Sequence, residues 1–339
     1  MRKIFLIFNL FFSVLLIANT PKFAYPLPDF VLSNKFLKTN PAKYINLFES
    51  KRGNAILVLK GYTENKMNSV KGEKREWKSQ VIFFDAIHNE TKKIDFDCFV
   101  WAKFIDNEIN PLLAITKTKI EGNDFVNNDF EFYNLDGEKI KTLSVDEFPF
   151  IGGTYIDSSI DNNFIVFKEI GDGEILSYTI VPVNELFAGK QKKETLKFIK
   201  FKFENNNIQN NFLLLGGENI DAIISSGGTL TKISIKNKGE QYWKIDFIGG
   251  NIIGLKNIGK HLLYVDCPPY YCMVNIENGK IIKKINQKES KNKHGYTQNT
   301  LKKKPFCILN ENNKTYQLRI NNSYLEVYEK IPNKLTEEI

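Results

Sequence analysis

Arginine is scarce in this chain. Beyond residue 24 it occurs only as Arg52, Arg75 and Arg319, which argues against a surface that reads bases or phosphates through the guanidinium fork. Histidine is equally thin. His88, His261 and His294 never stand at a spacing that would put two imidazoles on one helix or strand face, so no histidine metal centre is expected. No serine elbow is found, since "ISSGGTL" around Ser225 has the composition of a polar turn. The glycine pairs ending at Gly153, Gly217 and Gly250 lack the lysine and the strand-to-helix setting of a phosphate loop. Helical periodicity is almost missing after the first twenty residues. These absences argue against nucleic-acid binding and leave the leading expectation without a cofactor or metal.

What is present begins with an address. In "MRKIFLIFNLFFSVLLIANT", Arg2 and Lys3 precede an apolar run from Ile4 to Ala18 that is short for a membrane span and reads as a secretory leader. Cleavage near Ala24 would give a leader of residues 1–24 and a single domain of residues 25–339. An uncleaved anchor is the alternative, and would be the chain's one membrane contact. The net charge of +8 comes from 47 basic and 39 acidic residues. Removing Arg2, Lys3 and Lys22 leaves 44 against 39, or +5, a mildly basic exported surface. A secreted or periplasmic location also permits disulfides, and Cys267 and Cys272 flank a short hairpin neck in "CPPYYC". Cys98 and Cys307 are far apart in sequence.

The rest of the chain is a succession of short runs rich in β-branched and aromatic residues, punctuated by Gly, Asn and Asp. It repeats. Asp85, Asn134, Thr179, Ser234, Asn275 and Glu326 occupy matching places with separations of 49, 45, 55, 41 and 51 residues. That interval suits four-stranded β-propeller blades. The expected fold is therefore all-β, a propeller of six blades of four antiparallel strands. Its ring is closed by an N-terminal strand in "DFVLSNKFL", Asp29 to Leu37. "FYNLDGEKIKTL" and "VNIENGKIIKKI" each read as a hairpin joining third and fourth strands through Asp136-Gly137 or Asn278-Gly279. Gly153, Gly217 and Gly250 are expected where first strands begin.

"NKGEQYWKIDF" and "IENGKIIKKIN" resemble the end of the repeat in pyrroloquinoline-quinone-type and related WD-like bacterial propellers. There a glycine turn leads into an outer strand that often bears Trp. Trp243 holds that place here, and Ile282 and Ile140 or its neighbours replace it elsewhere. The resemblance implies the fold and transfers no quinone or metal ligand.

Two surfaces are candidates for a protein or glycan partner. "VKGEKREWKSQ" offers Arg75 and Trp77 on a basic loop, with a packed-down Trp as the competing reading. "DCPPYYCM" offers Tyr270 and Tyr271 on a proline-stiffened tip that a disulfide would pre-order. The basic run Gln287 to Lys304 reads as an excursion. The expected function is a non-catalytic binding or assembly module acting through loops. The alternative is a hydrolase or lyase using axial carboxylates, with or without calcium, drawn from Asp97, Asp106, Asp157, Asp161, Asp221 and Asp246; each also suits a turn or cap. A redox role of the quinoprotein kind is a weaker third reading.

Overall fold

A computed structural model describes residues 21–34, 37, 41–65, 74–121, 124–148, 155–171, 174–187, 198–201, 211–247, 250–258, 261–286, 306–309, 315–321 and 323–330. Residues 1–20 of the expected leader, the side chain of Cys307, the glycines at 152–153 and the basic run 287–304 lie outside the described residues. The chain opens with β1 (Phe23–Pro26) and two helical turns, α1 (Asp29–Leu32) and α2 (Pro41–Tyr44). The first sheet follows as β2 (Ile45–Glu49), β3 (Ala55–Asn65), β4 (Lys74–Phe84) and β5 (Glu90–Phe96). The second is β6 (Phe99–Ile105), β7 (Leu112–Glu121), β8 (Asp124–Tyr133) and β9 (Lys139–Leu143). The third is β10 (Tyr155–Ser158), β11 (Phe164–Gly171), β12 (Glu174–Pro182) and β13 (Ile199–Phe201), with α3 (Val183–Phe187) before its last strand. The fourth is β14 (Phe212–Gly216), β15 (Asp221–Ser226), β16 (Thr229–Ser234) and β17 (Glu240–Asp246). The fifth is β18 (Gly254–Ile258), β19 (Leu262–Cys267), β20 (Tyr270–Asn275) and β21 (Ile281–Asn286). In the sixth, β22 (Phe306–Leu309), β23 (Thr315–Asn321) and β24 (Tyr324–Lys330) are joined by β1.

Among the described residues the chain is thus all-β, with six antiparallel sheets of four strands, the blade number and blade size that its repeat implies. The sixth sheet takes its edge strand from the N-terminus, but not from the segment expected. Phe23 to Pro26 pair with Val327 to Tyr324, while Asp29–Leu32 turns into α1. Pro26 and Pro28 end the strand, because neither can donate to a ladder.

The chain divides into two compact units, Met1–Phe99 with Leu301–Ile339, and Val100–Thr300. In the first, one apolar cluster joins the first and sixth sheets: Leu57, Leu59, Ile82 and Phe84 meet Tyr316, Leu318, Leu325 and Val327, all buried. Ile56, Val58, Val81 and Phe83, on the opposite face of the first sheet, are buried as well.

In the second unit, sheets pack face to face in chain order because side chains alternate along each strand. Ile165 and Phe167 of β11 enter the cluster shared with Phe130, Phe132 and Leu143 of the second sheet. Val166, between them, enters the cluster shared with Leu214 and Ala222 of the fourth. Ile223 then points the other way, towards Leu263, Val265 and Val274 of the fifth. Polar turns between first and second strands add stitches: Asn107 Nδ2 donates to the Asn162 carbonyl at 2.9 Å, and Gly217 N–H donates to Asp161 at 2.9 Å.

The turn from third to fourth strand repeats a single device in four sheets. Asp85 accepts the amides of Ile87 and Asn89 at 3.0 and 2.8 Å. Asn134 accepts those of Asp136 and Glu138 at 3.1 and 2.8 Å. Asn275 accepts those of Glu277 and Asn278 at 2.8 and 3.2 Å. Ser234 accepts that of Asn237 at 3.2 Å. Each turn has a residue of positive φ: Gly137, Gly239 and Gly279 at 74°, 83° and 72°, and His88 at 63°, with Lys238 before Gly239 also positive at 55°. A bulge follows at the same place each time. Thr179 and Glu326, the other two residues in the sequence register, lie within strands β12 and β24 instead.

The bulges shift one expected equivalence. Lys232 faces Trp243 and Ile233 faces Gln241, so the extra residue is Tyr242. Met273 faces Lys283 and Val274 faces Ile281, so the extra residue is Ile282. Ile140 is the extra residue between Lys139 and Lys141. Ile282 and Ile140 therefore match Tyr242, and Trp243 matches Lys283 and Lys141; a one-residue slip puts a side chain on the other face. The glycine pairs are corrected too. Gly216 ends β14 and Gly217 begins the turn after it, whereas Gly250 lies in the connection before β18.

Candidate functional site

Opposite the repeated turns, the fourth and fifth sheets of the second unit share an end where the chain becomes irregular. Three segments meet there: the turn Ser226–Thr229, Phe247 with residues Gly250–Ile253 before β18, and the Pro268–Pro269 tip of the β19–β20 hairpin. Phe247 N–H donates to the Gly228 carbonyl and Ile252 N–H to that of Gly227, both at 2.8 Å. Ile253 N–H donates to the Asp266 carbonyl at 2.8 Å. Asn211 Nδ2 donates to the Ile252 carbonyl at 3.2 Å and to Ser225 Oγ at 3.1 Å. Gly250 passes so near the tip that a β-carbon there would sit 2.0 Å from the Pro268 carbonyl oxygen. Backbone bonds hold these segments, so their outward side chains are presented on a fixed frame.

Ile252 is buried, while Ile253 beside it is 57% exposed. Pro269 and Asn251 are exposed, and Tyr270 is half-buried against the core with the Lys284 ammonium 3.8 Å from its ring centroid. Asp246 accepts from Thr229 Oγ1 at 2.7 Å; that hydrogen bond first, then Lys244, holds its carboxyl below the usual range. An apolar side chain, a tyrosine under a cation and an ionised carboxylate thus occupy one end of two packed sheets. Reading the sequence missed Ile253. Its signal was the doublet Ile252-Ile253 in a glycine-rich connection, where only one of two adjacent apolar residues can turn inward.

Tyr270 and Tyr271, expected together, point to opposite faces. Tyr271 stacks on Tyr264 with centroids 5.4 Å apart, and burial, with Tyr271 nearby, pushes the Tyr264 hydroxyl up to about 12. The hairpin register also separates the cysteines. Cys267 faces Tyr270 and Cys272 faces Val265, so the two are diagonal neighbours on one face. Both are buried free thiols.

The other candidate lies in the first unit and on a strand, not a loop. Trp77 belongs to β4 and stands edge-on to Tyr62 and to Phe99, centroids 5.2 Å away in each case. It packs against the core cluster of that unit. Lys60 places its ammonium 5.2 Å from the Phe99 centroid, and burial, with Lys43 adding, lowers that amine to about 8. The side chain of Arg75 lies outside the described residues. Trp77 is therefore a member of a packed aromatic row.

The carboxylates considered for chemistry have structural partners. Asp157 pairs with Lys103 and Lys168 at 3.4 and 3.5 Å. Asp161 takes the hydroxyl of Ser159 at 2.5 Å and the amide of Asn163 at 3.1 Å. Asp221 pairs with Lys232 at 3.2 Å. Asp106 is buried, and Asp97 is exposed after β5. Among the described residues, no three of His, Cys, Asp and Glu are grouped to hold a metal ion.

No family model and no curated protein matches the chain. Among solved structures it is similar to a protein of unknown function from Bacteroides caccae, 11% identical, covering 74% of this chain and 83% of that one with a TM-score of 0.35. It is also similar to a chain in a structure of the mitotic checkpoint complex, 10% identical, covering 92% and 96% with a TM-score of 0.39. The fold assignment rests on the sheets themselves.

Proposed function

We propose that this is an exported propeller-like module that binds a protein partner through the irregular end of its fourth and fifth sheets. The observation that carries the reading is the contrast at Ile253: a large apolar side chain left 57% exposed by backbone that is hydrogen-bonded on both sides. An apolar anchor on a pre-ordered frame binds with little loss of conformational freedom. Asn251 is exposed two residues before it, a polar neighbour of the kind that surrounds such an anchor.

The export reading also gains a constraint. Lys22 donates its backbone amide to the Val327 carbonyl at 2.6 Å, and its ammonium pairs with buried Glu49 at 2.9 Å. Cleavage after Ala24 would remove both contacts and half of β1. A processed chain that begins at or before Lys22 would keep both contacts, and the intact mass of the exported protein tests that start.

The binding reading is tested with envelope proteins cross-linked to the full chain, identified, purified and titrated back by calorimetry. Ile253→Asp is expected to weaken binding at least tenfold, about 1.4 kcal/mol, with the melting temperature unchanged. A partner whose affinity is untouched by Ile253→Asp and by Tyr270→Ala would place the surface elsewhere. Turnover of a glycan or peptide panel, lost on substituting Asp157 or Asp161, would favour the hydrolase instead.

A further inference from the structure

Cys267 and Cys272 close the β19–β20 hairpin on one face, diagonal to each other across the two strands. Their thiols are near enough to influence each other's ionisation. They are only 3% and 0% exposed, within the cluster of Ile223, Leu230, Leu263 and Val265 where the fourth and fifth sheets meet. A small oxidant cannot reach them without opening that interface. In the unfolded chain nothing shields them, and only four residues separate them.

We propose that these two cysteines form a disulfide while the chain folds, and that the packed interface afterwards closes the pair to exchange. A thiolate at one cysteine attacks a disulfide oxidant, releasing one thiol and leaving a mixed disulfide. The second cysteine, losing its proton, displaces the other half of the oxidant. The protein gives up two electrons and two protons, and the oxidant becomes two thiols. The folded thiols are poor nucleophiles for a further reason: burial raises both, and at Cys272, where Cys267 adds to it, to about 11. The redox state of the hairpin is then a record of the conditions in which the protein folded. This rests on the export reading only for an oxidant in the cell.

The test uses purified full chain and oxidised glutathione, so its outcome is independent of where the protein resides. In one arm the reduced, denatured chain refolds with the oxidant present; in the other it folds in reductant first and then meets the same oxidant. Each sample is alkylated after denaturation, and the tryptic peptide His261–Lys280 is weighed. The first arm is expected to give a peptide two hydrogens lighter and unalkylated. The second is expected to give doubly alkylated peptide, oxidising about a hundredfold more slowly because exchange waits for local opening. Free thiols in the first arm, or pairing of either cysteine with Cys98 or Cys307, would overturn the disulfide. Equal rates in both arms would overturn the closure.

Discussion

The two ends of the fourth and fifth sheets are built by opposite rules. At one end, Ser234 and Asn275 cap their turns, Gly239 and Gly279 take positive φ, and a bulge follows. The same solution serves Asn134 and Asp85 in other sheets. At the other end nothing repeats: Gly250 lies against the Pro268 carbonyl, and Ile253 is pushed outward. A repeated device reports a constraint that every sheet shares, the need to reverse direction in a few residues. An end that abandons it has been shaped by its particular neighbours, and there an exposed anchor can be specific.

Four measurements would break or sharpen that contrast. The largest effect belongs to the irregular end. Gly250→Val sets a branched side chain against backbone that cannot give way, and should cost about 3 kcal/mol or more in a denaturant titration, as overpacking and backbone displacement do. An unchanged midpoint would mean that the close approach is dispensable.

Next is the bridge to the repeated end. Trp243 donates its indole N–H to the Ile276 carbonyl at 3.1 Å and lies against Gly279. Trp243→Ala is expected to cost about 2–3 kcal/mol, below the range for a fully buried Trp because this one is half-buried. A smaller loss for Trp243→Phe than for Trp243→Ala would separate packing from the hydrogen bond.

A single turn cap is worth less. Asn275→Ala removes an acceptor from two amides and should cost about 1 kcal/mol. The same change at Asn134 should match it, if the device is truly shared.

The smallest effect is a pH dependence in one of the four turns. Asp85 is the titratable member of the set, and the Asn89 amide, ahead of other contacts, holds its carboxyl below the ordinary value. A carboxylate depressed in the folded state contributes stability that is present above the unfolded value, near 3.9, and is lost as pH falls through the folded one. The protection of the Ile87 and Asn89 amides against exchange, taken relative to their intrinsic rates at each pH, should therefore fall on acidification below about pH 4, while that of Asp136 and Glu138 does not. Asp85→Asn should abolish the difference; protection falling equally in both turns would refute the assignment.

Much of this was legible in advance for a physical reason. Central strands are buried on both faces over Ala55–Tyr62 and Leu112–Thr116 and so read as apolar runs. Edge strands were harder. Glu90–Phe96 is largely exposed and carries Lys92 and Lys93, the charge that discourages edge pairing and blurs the strand pattern, whereas Lys139–Leu143 and Ile281–Asn286 were legible from the Asp136-Gly137 and Asn278-Gly279 turns before them. The N-terminal strand was misplaced because Asp29–Leu32 has the composition of a strand but follows Pro28, whose missing donor ends the ladder. For the candidate site, the Pro268–Tyr270 tip could be read, since prolines and aromatics stand out. Ile253 could not, because its exposure depends on the Asp266 carbonyl and on Ile252 turning inward.

The sequence by itself determined the class, the interval of the repeat and the turns that mark it, because period-two alternation and a side-chain cap followed by glycine act over a few residues. Only the tertiary structure decided that Tyr270 and Tyr271 part company, that Trp77 is packed among Tyr62 and Phe99, and that the two thiols lie diagonal rather than facing. Those outcomes depend on register and on which neighbouring sheet covers a face, and both are set by contacts between residues distant in the chain.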